Sequence, residues 1–443
     1  MPTMTTVANG LRILVEELPH THSVSLGYFT GVGAGHEAPA LSGAAHFIEH
    51  MCFKGTRAFP TARMISDTIE GVGGILNAST SYESTVYWAK VADIHIDRAV
   101  RVLTEMLRYP LFDSRELEKE RRVILEEIRS SQDDPEEWVH ALLHAAMWGD
   151  QPLGRDIAGT LDSVSAISRP NLLAFWNEHY HPHNIVISIA GHIQTDQAIA
   201  AVLQAFELPA DTAITRHEPV VPPDSRTSRL PPRSGRNLAL PGPRVTLAPR
   251  KTEQGHFCLG MPALSYQDAD RRALHVLDTI IGGGMSSRLF QTLREDMGVA
   301  YHVGSYQIEL ADGGMWVLYG GVEDDTLVPS VRTTLEILQS VATEGITDAE
   351  LARVKEQVKG GILLSLEDTW SIASRNGAHQ LRYDTVIPVE QVVAEIEAVT
   401  SADVLRVAQR LLRRDALHLA VIGPYDTRDE QTLAALLHAA LEE

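Results

Sequence analysis

Residues 46–56 read His46-Phe47-Ile48-Glu49-His50-Met51-Cys52-Phe53-Lys54-Gly55-Thr56. The first five hold two imidazoles four residues apart with a carboxylate between them. On a helix, positions four apart share a face. At about 100° per residue, Glu49 stands roughly 60° to one side of His46 and His50 about 40° to the other. The three side chains therefore converge. Two neutral imidazoles there suit a divalent ion such as zinc, and the carboxylate is placed to take a proton from water beside it. The order is H-x-x-E-H, the inverse of H-E-x-x-H, which does not occur in the chain.

With 19 histidines in the chain, such a pentapeptide also arises by chance, and a His pair is often only a solvated helix face. The flanks argue against accident. Leu41-Ser42-Gly43-Ala44-Ala45 and Met51-Cys52-Phe53 are mostly small or apolar, so the helix is expected to be largely buried. Buried polar groups need partners, and an ion supplies one. A third ligand is then expected from an acid far along the chain. Residues 116–128, Glu-Leu-Glu-Lys-Glu-Arg-Arg-Val-Ile-Leu-Glu-Glu-Ile, form a strong helix former. Leu117, Val123, Ile124 and Ile128 are read as a partial core stripe. Glu120 and Glu127, two turns apart, share nearly one face. One could bind the ion and the other orient a ligand histidine, although acids on a helix are usually just solvated. Spacing alone does not choose among Glu118, Glu120, Glu126 and Glu127.

On these residues the chain resembles the M16 zinc peptidases, the inverzincins, and most of all the short bacterial branch similar to the mitochondrial processing peptidase β subunit. The stretch His46–Thr56 matches the family's motif region almost residue for residue. Asn77-Ala78-Ser79-Thr80-Ser81-Tyr82-Glu83, with Thr85-Val86-Tyr87, resembles its Asn-Ala-containing strand, and Glu118–Glu127 resembles its third-ligand helix. The resemblance implies one zinc per chain on His46, His50 and Glu127, with Glu49 as general base and Glu120 orienting a ligand. It makes Asn77 and Ala78 part of a strand whose edge binds the peptide as a further strand. Gly282–Tyr301 is similar to a segment carrying an Arg and a Tyr that hold the substrate carbonyl and oxyanion. The matching residues here are Arg294 and Tyr301, a cationic fork and a neutral donor. One departure is Tyr82, where relatives often have Arg or another polar residue, and it bears on substrate preference. The implied activity is a zinc endopeptidase. The alternative is an M16-like scaffold or regulatory subunit, but such chains typically lose the His/Glu set.

The whole chain bounds these readings. At 443 residues it is too long for one core. The stretch from Leu208 to Val245 holds eight prolines and cannot make a regular helix or central strand. It is read as a linker, 209–244, between an N-terminal zinc-binding domain, 1–208, and a C-terminal domain, 245–443. Asn184–Gly191 recurs as Ala416–Gly423, each with a helix before it (Asn171–Tyr180, Ala402–Leu412) and one after (Thr195–Phe206, Asp429–Leu441). The halves are thus expected to be α+β repeats, strands such as Arg12–Glu16 and Ser23–Tyr28 pairing with distant ones. This agrees with the family's two homologous α/β-roll domains, the M16/LuxS-like metallohydrolase type. The net charge of −20 argues against a nucleic-acid binder. No apolar run reaches about 18 residues, so no membrane span is expected. Two cysteines make no disulfide framework, and Cys52 is read as a packing residue rather than a ligand. The N-terminus has no charged region followed by an apolar one, and the location is expected to be cytoplasmic. Because the longer relatives face four such domains in pairs, a two-domain chain implies a homodimer in which Arg294 and Tyr301 act in trans.

Overall fold

The computed structural model describes residues 1–209, 211–217 and 239–441. Within the Pro-rich stretch, 210 and 218–238 lie outside the described residues. The chain forms two compact units: the described residues of 1–128, 156–234 and 363–388, and those of 129–155, 235–362 and 389–443.

The first unit is built on seven strands: β1 (Thr3–Val7), β2 (Arg12–Glu17), β3 (Ser23–Thr30), β4 (Ile75–Thr80), β5 (Thr85–Ala92), β6 (Ile185–Gly191) and β7 (Ile214–His217). Their order is β4-β5-β3-β6-β2-β1-β7, and only β2 and β6 run parallel. Its helices are α1 (Ala44–Cys52), α2 (Ala62–Glu70), α3 (Ile96–Arg108) and most of α4 (Ser114–Asp133). The chain then leaves for the second unit through α5 (Pro135–Trp148) and returns for α6 (Leu161–Ala166), α7 (Arg169–His179) and α8 (Thr195–Ala205). β7 falls inside the Pro-rich stretch read as linker. It is a four-residue edge strand, paired among the described residues only to β1, which proline-flanked sequence permits.

The second unit has β8 (Arg244–Pro249), β9 (Gly255–Ala263), β10 (Ala300–Leu310), β11 (Gly313–Val322) and β12 (His418–Gly423) in the order β10-β11-β9-β12-β8. Its helices are α9 (Arg271–Gly282), α10 (Leu327–Glu344), most of α11 (Asp348–Ser365), α13 (Val389–Ala398), α14 (Ser401–Leu411) and α15 (Thr427–Ala439). Helix α12 (Thr369–Tyr383) belongs to the first unit. The strand order repeats β4-β5-β3-β6-β2 member for member, again with one parallel pair, β12 and β8. The repeat read around β6 and β12 thus extends through both sheets, in two α+β units.

Each sheet is covered on both faces, and the sequence alternation shows how. In β3, Val24, Leu26 and Tyr28 enter the main core with α1 and α3. Ser25, Gly27 and Phe29 meet α12. Ser25 Oγ lies 2.8 Å from Thr369 Oγ1, and Trp370 stacks on Trp88 at 4.5 Å. Added Cβ atoms at Gly27 and Gly377 would collide with Trp370 and Phe29, so both glycines let helix and sheet close. In the second unit α5 covers β9 likewise, and a Cβ at Gly260 would sit 2.7 Å from Leu143. Among the described residues no helix is long and apolar enough to cross a membrane.

Helix α1 starts abruptly. Gly43 takes φ +93°, and a Cβ there would lie 2.6 Å from the Ala158 carbonyl. The buried Glu37 carboxylate accepts from the Gly43 and Ala45 amides at 2.8 and 2.7 Å. It satisfies two otherwise orphaned donors at the positive end of the helix. Gly43→Ala is expected to destabilise the chain by about 1–3 kcal/mol, read as a lowered denaturant midpoint; an unchanged midpoint would show that the turn is not constrained.

Candidate metal centre

Six of the nine α1 residues are buried: Ala44, Ala45, Phe47, Ile48, Met51 and Cys52. Their packing leaves His46, Glu49 and His50 on the remaining face. Helix α4 brings up the acids. Leu117, Glu120, Ile124 and Ile128 form its buried stripe, a run that follows the helical period. Val123, read with that stripe, is 43% exposed. It stands about 240° round from Leu117, off the packed face.

Glu127, one turn past the stripe's centre, joins the two histidines. The Nε2 atoms of His46 and His50 are 3.2 Å apart, and Glu127 Oε2 is 3.6 Å from His50 Nε2. One donor atom from each lies within 4.8 Å of the others, the one such group among the described residues. Tetrahedral zinc with bonds of about 2.0–2.1 Å separates its donors by roughly 3.3–3.4 Å. Two imidazole lone pairs facing each other at this distance repel unless a cation or proton lies between them. Donor set and spacing therefore both fit zinc.

The surrounding groups tune this set. Burial and the adjacent His50 pull the His46 pKa down to about 4, so its ring is neutral at pH 7, as ligation requires. Burial alone would lower His50, but its hydrogen bond to Glu120 and the charges of Glu127, Glu120 and Glu49 outweigh it and raise the pKa. His50 Nδ1 donates to Glu120 Oε1 at 2.9 Å. Glu49 is raised by burial, partly offset by a bond from Thr80 Oγ1 at 2.5 Å. A raised carboxyl is better matched to accepting protons near neutrality. Cys52 is fully buried, its thiol pushed up to about 12 by burial. It packs and stands outside the metal group.

Asn77 and Ala78 lie on β4, an edge strand that among the described residues pairs only with β5. On that strand Leu76, Ala78 and Thr80 alternate inward and Asn77 outward. The Asn77 side chain accepts from the Ala78 amide at 2.8 Å. Tyr82 is buried. Arg294 and Tyr301 belong to the second unit and meet each other. Arg294 Nη1 donates to the Tyr301 carbonyl at 2.9 Å, and its guanidinium lies 4.8 Å from the Tyr301 ring. Arg294 sits in a π-helical turn, Phe290–Asp296, and Tyr301 is 76% exposed.

Three contributors escaped the sequence reading: Glu37 beneath α1, Thr80 on Glu49, and Lys54, whose Nζ is 2.8 Å from Glu120 Oε2. Period-two alternation along β4 was the available signal for Thr80. The second unit echoes the site with other chemistry. On α9, Asp278 accepts from Ser305 of β10 at 2.5 Å, as Glu49 does from Thr80 of β4. The residue after it is Thr279, where α1 has His50.

Known proteins resemble this chain along nearly its whole length. The profile described as Insulinase (Peptidase family M16) matches residues 12–161, and that described as Peptidase M16 inactive domain matches 166–358. A protein of Streptomyces coelicolor named an uncharacterized zinc protease is 40% identical, over 99% of this chain and 92% of its own length. The zinc protease YmxG of Bacillus subtilis, also named uncharacterized, is 38% identical over 95% of this chain and 97% of its own. A crystal structure of a protease from Helicobacter pylori superposes with a TM-score of 0.85 at 20% identity, covering 96% of this chain and 99% of that one. At that identity it speaks for the fold alone.

Metal analysis after zinc loading is the direct check on the ligand set. Wild type is expected to hold one equivalent. His50→Ala and Glu127→Ala should lose it, while Glu49→Gln keeps it. Zinc lost from Glu49→Gln but retained at full affinity by Glu127→Ala would reverse the assignment.

Proposed function

Starting from a chain that belongs to peptidase family M16, we propose that it is a zinc-dependent endopeptidase acting on unfolded peptides. The observation that carries this reading is the convergence of His46, His50 and Glu127 beside Glu49, a carboxylate that is not needed as a ligand. Three protein ligands leave a fourth position open, the mark of a catalytic rather than a structural zinc site. Bound there, zinc supplies Lewis acidity, lowering the pKa of water and polarising the scissile carbonyl. Glu49 takes the proton of the attacking water and delivers it to the leaving amine. Thr80 holds the carboxylate in place for both transfers. Arg294 and Tyr301 stabilise the oxyanion. The free edge of β4 accepts the peptide as an added strand, so the Asn77 side chain must release the Ala78 amide.

The metal group and the Arg294/Tyr301 pair fall in different units of the chain. We propose a homodimer in which that pair acts on the partner's site. Glu49→Gln should cut kcat by roughly 100- to 10,000-fold. Mixing Glu49→Gln with Tyr301→Phe should restore activity, because a mixed dimer then holds one intact site. No recovery between freely exchanging dimers would place the pair on its own chain's site or outside catalysis.

Strand addition also sets substrate form. An extended peptide needs no prior unfolding, whereas a folded domain resists by roughly 5–15 kcal/mol. Product analysis by mass spectrometry should show unfolded peptides cut, with chelator abolishing the reaction, and tightly folded proteins spared. Rapid cleavage of a disulfide-linked folded protein would sink this part of the reading.

A further inference from the structure

Glu120 divides its two oxygens. Oε1 accepts from His50 Nδ1 at 2.9 Å, and Oε2 meets Lys54 Nζ at 2.8 Å. Glu120 is 5% exposed, and a buried charge of this kind holds its place only if both oxygens are partnered. Lys54 lies two residues past the end of α1, its amide bonded to the Met51 carbonyl at 3.1 Å. A single nine-residue helix and its exit turn therefore supply the two histidines, the base and the cation that holds the acid behind one histidine.

We propose that Lys54 is a positioning residue for the metal: it clamps Glu120 in the one orientation that keeps the His50 Nε2 lone pair on the ion. The proposal rests on the reading of His46, His50 and Glu127 as ligands. When Nδ1 donates to a carboxylate, the proton is held on that side of the ring and Nε2 is left free to ligate. The effect is concentrated on His50, because the other ligand histidine has no such support. His46 Nδ1 is buried without a hydrogen-bond partner among the described residues. Remove the ammonium, and one Glu120 oxygen is left buried and unpaired. The carboxylate then turns toward water, and the His50 ring loses its fixed direction. Arg at 54 keeps the charge and the reach.

The test measures zinc affinity of the full chain by competition with a chromophoric chelator, alongside thermal melting of the metal-free protein. Lys54→Met should weaken zinc binding about tenfold or more, while Lys54→Arg retains most of the affinity. Glu120→Gln should weaken it comparably. The double variant Lys54→Met/Glu120→Gln carries no unpaired buried charge and so guards against simple failure to fold. It should bind no more weakly than Glu120→Gln alone, because Lys54 acts only through Glu120. Wild-type affinity in Lys54→Met, or full addition of the two losses in the double variant, overturns the proposal. A wild-type chain that takes up no zinc overturns the metal reading itself, and this proposal with it.

Discussion

Helix α1 is short, and packing on its other faces decides what its three polar residues do. Phe47, Ile48, Met51 and Cys52 are buried completely, so the helix has almost no freedom to roll. A rotation large enough to swing His46 or Glu49 into solvent would push one of those side chains out of the core. Complete burial of a Phe, Ile or Met side chain contributes roughly 1.5–3 kcal/mol, and three such anchors outweigh the cost of crowding two imidazoles together. The site is thus pre-organised from beneath: core burial holds the donors at close quarters before any ion arrives. Glu37 completes this by satisfying the amides at the start of the helix.

The parts of the site that obey a helical period were legible in the sequence. His46, Glu49 and His50 form one such pattern, and Glu120 with Glu127 another. Choosing Glu127 over its acidic neighbours needed the family resemblance, because four glutamates on one helix look alike until its packed face is known. Val123 shows the limit from the other side. It is apolar and adjacent to the stripe, and only the angle around the helix excludes it. Thr80 and Lys54 were harder. Their partners lie 31 and 66 positions away, at Glu49 and Glu120; alternation along β4 turns Thr80 inward, but no local pattern names either partner. The halves themselves were legible as repeats, but the placing of α5 and α12 was not. An amphipathic helix shows which face it buries and never which sheet receives it.

The second unit shows how one backbone plan supports different chemistry. Asp278 keeps its hydroxyl partner, Ser305, and gains an indole donor from Trp316 at 2.7 Å. Burial raises its pKa, as it does that of Glu49. With Thr279 where the first unit has His50, this acid is held by hydrogen-bond donors. The same strand–helix contact that holds Glu49 beside the His46, His50 and Glu127 group in one unit is an internal tie in the other.

The reciprocal placement of α5 and α12 bears on how the chain matures. The face of the first sheet around Phe29 and Val186 is covered by a helix centred some 190 residues beyond β6. As the chain leaves the ribosome, that face stays bare until residues 369–383 emerge. Domains usually close as they are made, whereas this one must wait for most of its sequence. The interval exposes strand edges and an aromatic surface to other nascent chains, so chaperone occupancy during synthesis becomes a property of the fold. A nonsense codon between His217 and Thr369 would leave the half that carries His46, His50 and Glu127 synthesised but without the helix that covers its sheet.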